Sequence, residues 1–286
     1  MASPRELRRR IKSISGTAQI TKAMQMVAAS KMRKAQQLAT DVRPFARLLY
    51  RMQRAATKHA QDFTHPLAEV RPVRARAVIL VAADKGLCGS LNANVFRLAA
   101  PYDSSTVFIT AGRKAAQFVA QTRRRLAAEF AYGDTPQFAE SRAIAALARN
   151  LFETGEVDAV DVIASRFVNT LTQEPLIIPL LPIADVSGLR IPGMTPRDAK
   201  PAPMAFVFEP DAADIVSYVI DIYIRVFIHV VLLNAKASEQ SARMVSMQNA
   251  TDSATEMIRS LKLEYNKLRQ GRITQELLEI AGGSAA

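Results

Sequence analysis

Residues 4–58 read PRELRRRIKSISGTAQITKAMQMVAASKMRKAQQLATDVRPFARLLYRMQRAATK, and the spacing of the apolar side chains in this stretch decides the fold. From Leu7 to Ala56, steps of four and three land on fifteen positions, of which twelve are apolar. Thr21, Gln25 and Gln53 are the exceptions. A period of about 3.5 residues held over this length is a coiled-coil seam, because a globular helix ends much sooner. Ser3 suits the N-cap, Pro4 the first helical position and Glu6 the third turn position of a capping box. Many seam positions are alanine, which lets a partner helix come close. Pro44 removes one helical hydrogen bond and predicts a kink, while Gly16 is a weaker point.

This segment also carries the charge. Residues 1–58 hold 14 Lys/Arg against only Glu6 and Asp41, while the whole chain has a net charge of +12. The remainder is therefore close to neutral, and the basic arm calls for an acidic partner. Hydrophobic residues make up 49% of the 286, enough for a sizeable core and too many for a disordered chain. A single cysteine, Cys88, excludes a disulfide scaffold and a cysteine zinc cluster. His59, His65 and His229 are too scattered for a histidine metal site. The start, Met1-Ala-Ser-Pro-Arg-Glu, lacks the apolar core of a signal peptide, so an intracellular, reducing setting is expected.

The middle, residues 71–210, changes character. Arg76–Ala83, Val107–Thr110, Val160–Phe167 and Leu176–Leu181 read as strands. Ala93–Ala99, Arg113–Arg125 and Gln137–Thr154 read as helices. The alternation predicts a mostly parallel sheet of βαβ type. A run of prolines from Pro175 to Pro203 marks a non-helical return.

Residues 211–286 form another long helix, with Asp211 as a cap and Asp214 in its first turn. Its seam runs from Val216 to Leu268, broken only at Gln240 and Thr251. A new stripe then begins at Ile273, Leu277 and Ile280, before Gly282-Gly283 ends the helix. Ile215–Ala235 approaches membrane-spanning length, but Ser217, Asp221, Arg225 and His229 recur every four residues and make one face polar. Burial by protein is the expected reading, with Asp221 and Arg225 placed for an ion pair along the helix.

Two seams in one chain are covered most economically by each other. The chain leaves the first helix near residue 58 and returns near 211, so the helices run antiparallel with paired numbers summing to roughly 269. The last 15–20 residues then overhang as a single-helix tip of ~25 Å on a shaft of order 100 Å. Such a shaft belongs inside an assembly. No nucleophile–base pair stands out. Asp84–Asn92 (DKGLCGSLN) follows the first strand, where nucleotide loops occur, but it matches neither phosphate-loop spacing. A tight strand-to-helix turn is expected there, with a cap near Ser90 and Cys88 semi-exposed within it.

These stretches resemble the gamma subunit of F-type ATP synthases. The likeness lies in Ile20–Lys34 (ITKAMQMVAASKMRK), Asp84–Gly89 (DKGLCG), Ser238–Met247 (SEQSARMVSM) and Asn249–Asp252 (NATD). Tyr265–Gln270 (YNKLRQ) and Ile273–Glu276 (ITQE) complete it. The resemblance implies an α/β chain with an antiparallel two-helix coiled coil, residues 1–58 and 211–286, on a Rossmann-like foot, residues 71–210. It implies a non-catalytic rotor without cofactor, turning inside a hexamer of alternating alpha and beta subunits. Its other partners would be the epsilon subunit and the membrane c-ring. By family position Arg243, Arg269, Gln270 and Thr274 would touch beta-subunit loops, with Met24, Lys85 and Cys88 near the lower acidic beta lever. Phe208 and Glu209 would lie near the c-ring contact.

The chain departs from the family at Ser241 and Ser246, where alanine is common, and at Gly271-Arg272, where small residues are usual. It has no paired-cysteine insertion of the chloroplast type. A peripheral subunit on the cytoplasmic face of a bacterial membrane is expected, with no span of its own. Two rivals are weighed. One is a basic coiled coil that serves nucleic acid, but residues 1–58 interleave only Phe45 and Tyr50 among the bases. An NAD-type enzyme on the middle segment would need the missing phosphate loop.

Overall fold

The computed structural model describes residues 3–59, 65–183 and 212–283. Two compact units emerge: one joins the chain up to Ala29 with the chain from Arg243 on, and the other runs from Ser30 to Ala242.

In the first unit, helix α1 (Pro4–Asp41) lies along the second half of helix α6 (Ala212–Gly283). Glu6 N–H donates to Ser3 Oγ at 3.2 Å, as the cap reading requires. Leu7, Thr21, Ala28, Met247 and Ala254 are buried, and all five are seam positions. The polar exceptions Thr21 and Thr251 meet each other, Oγ1 to Oγ1 at 2.7 Å. Their numbers sum to 272. In an antiparallel pair this contact shifts the register by less than one turn from the roughly 269 that loop arithmetic suggests. On that register Pro4 is level with Leu268, and Ile273, Leu277 and Leu278 beyond it are exposed.

The second unit is a three-layer α/β/α domain. Its sheet runs β3 (Arg125–Phe130), β2 (Val107–Ala111), β1 (Arg76–Val81), β4 (Ala159–Phe167), β5 (Gln173–Leu181). The first four are parallel, and β5 is an antiparallel edge strand on β4. β1 is RAVILV, an unbroken apolar run of the kind a sheet covered on both faces demands. Ala77, Ile79 and Val81 face a core shared with α2 (Arg43–His59), α5 (Phe138–Glu153) and the first half of α6. Val78 and Leu80 face α3 (Leu91–Ala99) and α4 (Arg113–Gln121).

Two readings are corrected, and a third is located more closely. β3 was not expected, and its first residue, Arg125, was read as the end of a helix: α4 stops at Gln121, and Arg123 turns the chain at φ 52°. The break expected near Pro44 in the first long helix is present, two residues earlier. The helix is interrupted at Val42, and the bonds Val42 N–H to Leu38 O and Ala46 N–H to Val42 O carry the ladder across the joint. Cys88 is 2% exposed, not semi-exposed. The expected cap Asp211 and the residues Phe208 and Glu209 lie outside the described residues.

The apolar stretch of α6 that approaches membrane length is 61% buried within the protein. Val216, Ile220, Ile224 and Phe227 are covered by the chain itself. On the polar face Asp221 takes both its oxygens to Arg149 Nη1, at 2.7 and 2.9 Å, with Arg225 at 3.6 Å.

Candidate functional site at the carboxyl edge of the sheet

Open α/β sheets bind ligands beyond the carboxyl ends of their strands, where the strand order reverses. Here that point lies between β1 and β4. It is filled by α6 itself, residues 236–242.

The β1 loop forms one wall. Gly89 at φ 58° and Leu87 at φ 63° fold it back, and Asn92 holds it shut. The Asn92 carbonyl accepts from Ala83 N–H at 3.1 Å, and its amide lies 3.5 Å from Cys88 Sγ. Asp84 Oδ1 accepts from Arg113 N–H at 3.1 Å, so it caps α4 in place of Gly112. Gly112 stands at φ 96°, and a Cβ there would come within 2.1 Å of Ala82 O. Ser90 takes the N-cap position of α3, with its carbonyl accepting from Asn94 N–H at 2.9 Å. Cys88, Ala83 and Leu91 form a small apolar cluster against Ala242 of α6.

The segment after β3 forms the floor. Tyr132 donates its hydroxyl to Ala82 O at 2.9 Å, and its ring lies under Lys236 Nζ, 4.4 Å from the centroid. Burial pushes the Tyr132 phenol well above 10, and the nearby Glu239 and Asp84 push it further. Lys236 is 1% exposed. Its ammonium donates to Glu239 Oε2 at 2.9 Å and lies 3.9 Å from Asp84 Oδ2. Asp134 accepts from Lys31 of α1 and, at 3.4 Å, from Gln240. The Lys31 hydrogen bond holds the Asp134 carboxyl below the usual range. On the other side, Ser238 donates to Ser165 O at 3.3 Å and Ser241 to Thr170 O at 2.7 Å.

Such an arrangement grips a helix and leaves no phosphate cradle. Among the described residues, no three His, Cys, Asp or Glu side chains are set to hold a metal ion.

The sequence-expected residues fall in three groups. Lys85 and Cys88 share the β1 loop; Lys85 is exposed, and its carbonyl lies 3.9 Å from Cys88 Sγ. Met24, half-buried on α1, stands within a few residues of the height of Arg243, which is buried. Arg269, Gln270 and Thr274 are exposed near the end of α6, where Thr274 Oγ1 donates to Gln270 O at 3.0 Å. The 26 residue steps from Arg243 to Arg269 separate them by about 39 Å of helix. Lys236, Glu239, Tyr132 and Asp134 were not singled out by sequence. Glu239 lies in the Ser238–Met247 stretch that resembles the family, and Lys236 stands three residues before it as an i,i+3 charged pair.

Comparison with known proteins agrees with this geometry. The family model described as ATP synthase matches residues 3–286. The ATP synthase gamma chain of Opitutus terrae is 45% identical, covering 100% of this chain and 99% of the relative. That of Polynucleobacter asymbioticus is 40% identical over 100% of both. Among solved structures, a chain of the Tetrahymena thermophila mitochondrial ATP synthase central stalk and c-ring matches at TM-score 0.59. It is 26% identical, over 81% of this chain and 99% of that one. A chain of the Euglena gracilis mitochondrial ATP synthase shares the fold at TM-score 0.67 and 19% identity, over 99% and 93%. A helix pair with exposed apolar residues near its tip, an α/β domain whose ligand crevice is closed by its own helix, and relatives matched from end to end lead to one conclusion: the chain belongs to the ATP synthase gamma-chain family.

Proposed function

We propose that this non-catalytic central-stalk subunit works as a rotor. The α1–α6 pair is its shaft, and residues 71–210 are the foot. The shaft stands in a hexamer of alternating alpha and beta subunits; the foot meets the epsilon subunit and the c-ring at the cytoplasmic face of a bacterial membrane. Proton flow turns the ring, and the shaft presents a different side to each beta subunit in turn. Each catalytic site is thereby biased toward one conformation, and rotation moves the bias onward.

The observation that carries this reading is the antiparallel register. It places Ile273, Leu277 and Leu278, all exposed, beyond Leu268, which is level with Pro4 at the start of α1. An apolar tip in this position fits a socket made by other chains. Arg243, Arg269, Gln270 and Thr274 would meet beta-subunit loops. Met24 and Lys85 would face the acidic lever, with Cys88 bracing the Lys85 loop from within. Phe208 and Glu209 are assigned to the c-ring side from family position alone.

The test is reconstitution with a purified alpha–beta hexamer. The full chain should bind it and support ATP-driven rotation, and a chain ending at Leu268 should melt at the same temperature yet bind at least tenfold more weakly. Absence of hexamer binding by the full chain, with steeply salt-dependent binding to DNA, would overturn the rotor reading.

A further inference from the structure

We propose that Lys236, reaching from α6 to Asp84 of the β1 loop and to the Tyr132 ring, with Glu239 on the same helix holding its ammonium, is a charged key that fixes the angle of α6 in the foot domain. It keeps the helix from slipping when the domain is twisted. Lys236 is thus a positioning residue. The inference rests on the rotor reading and adds to it the residues that carry torque across the foot.

Residues 236–241 are buried all the way round the helix. Successive side chains on a helix point about 100° apart, so six in a row face every direction. An apolar helix in an apolar collar would be held mainly by shape, and small turns about its axis would exchange similar contacts. Here the contacts are polar and directional. Lys236 points to Asp84 of the β1 loop and to the Tyr132 ring. Gln240 points to Asp134 after β3. Ser238 meets the end of β4, and Ser241 meets the hairpin beyond it.

A rotation of even one residue step would take the Lys236 ammonium out of reach of Asp84 and Tyr132 while leaving it desolvated. That penalty makes one angle far better than its neighbours. Buried ion pairs contribute little net stability against an apolar replacement of equal volume, so their best-attested use is to fix register. Asp84 joins the key to the rest of the sheet, because its second oxygen caps α4 through Arg113 N–H.

The experiment uses the full chain assembled with alpha and beta subunits. A bead is attached through Glu129→Cys on the exposed edge strand β3. Lys236→Met with Glu239→Gln removes both charges and keeps the volume. The expected result is a melting temperature within a few degrees of the parent, unchanged ATP hydrolysis, and at least a twofold fall in bead turns per ATP under load. A merely structural role would move the melting temperature and leave that ratio alone.

Full turns per ATP in a stable double variant would overturn the inference while leaving the rotor reading intact. A parent complex that hydrolyses ATP without turning the bead would instead overturn the rotor reading. Should the double variant fail to assemble, Ser238→Ala with Ser241→Ala loosens the same collar by two hydroxyls. A lowered ratio there supports the key, and an unchanged ratio counts against it.

Discussion

The Thr21 and Thr251 hydroxyls lie 2.7 Å apart, so the polar interruptions of two otherwise apolar seams cancel one another. Each also reaches a carbonyl of its own helix, Ala18 O at 3.1 Å and Met247 O at 2.8 Å. Only one proton is available for the bridge, and the other is spent on backbone. Valine at either position alone should cost about 1 kcal/mol, and the pair should show a coupling of about 0.5–1 kcal/mol in a double-mutant cycle. Urea unfolding of the four proteins measures it. Zero coupling would mean that the seams do not meet at this register.

The same register separates two leucines of like chemistry. Leu7 is 1% exposed and Leu277 60% exposed. Leu7→Ala should destabilise the helix pair by about 2–3 kcal/mol, at the low end for a buried leucine because the site is narrow. Leu277→Ala should stay within about 0.5 kcal/mol in the isolated chain. In the assembled complex the difference should narrow, because the proposed hexamer socket would cover Leu277. Thermal melts of the free chain and hexamer-binding titrations give the two halves.

How much of this was legible in the sequence depends on how local the cause is. The seams were, because a coiled-coil period is written in spacing, and Leu7, Ala28, Met247 and Ala254 are buried where it puts them. β1, β2 and β4 were, because strands covered on both faces are continuous apolar runs. β3 was not. It is an edge strand reading RLAAEF, mostly exposed and without a β-branched residue, directly after an arginine run that suits a helix end. The fifth strand was found without its direction, which depends on a hairpin turn built by Asn169 Oδ1 accepting from Leu171 and Thr172 N–H. Lys236 and Glu239 were passed over for a physical reason. A lysine three residues before a glutamate normally marks a solvated face, and only the collar of strand ends makes it an interior pair. The partner-contact residues rest on resemblance, since nothing in their local chemistry marks them.

Gly112 tests the carboxyl edge. Its φ of 96° is open only to glycine, and a Cβ would meet Ala82 O at 2.1 Å. Ala82 O is the acceptor for Tyr132, so any shift passes to the floor under Lys236. Gly112→Ala should cost more than about 3 kcal/mol, from strain and lost packing together. Gly155→Ala is the control: φ is 75°, but nothing lies within 4 Å. It should cost about 1 kcal/mol. Equal losses at both would show that Ala82 yields freely and that the edge is not rigid.

Two histidines give the domain an acid-side weakness. Burial lowers His229 below 6.5, Glu140 opposing only in part, and its Nδ1 has no hydrogen-bond partner among the described residues. Burial also lowers His65 below 6.5, against the opposing pull of Asp221, and its Nδ1 accepts from Leu67 N–H at 3.1 Å. Both are held neutral in the fold, and an unfolded chain would bind protons more readily. Their contribution is therefore complete above about pH 6.5 and is lost as pH falls. Asp134 and Asp158 have depressed values from an ordinary 3.8, so their losses begin only at lower pH. The interval from pH 7 to pH 5 thus isolates the histidines. The melting temperature should drop across it, and His229→Leu with His65→Asn should flatten the drop, since asparagine keeps an acceptor for Leu67. An unchanged slope in that double variant would assign the acid sensitivity to the carboxylates.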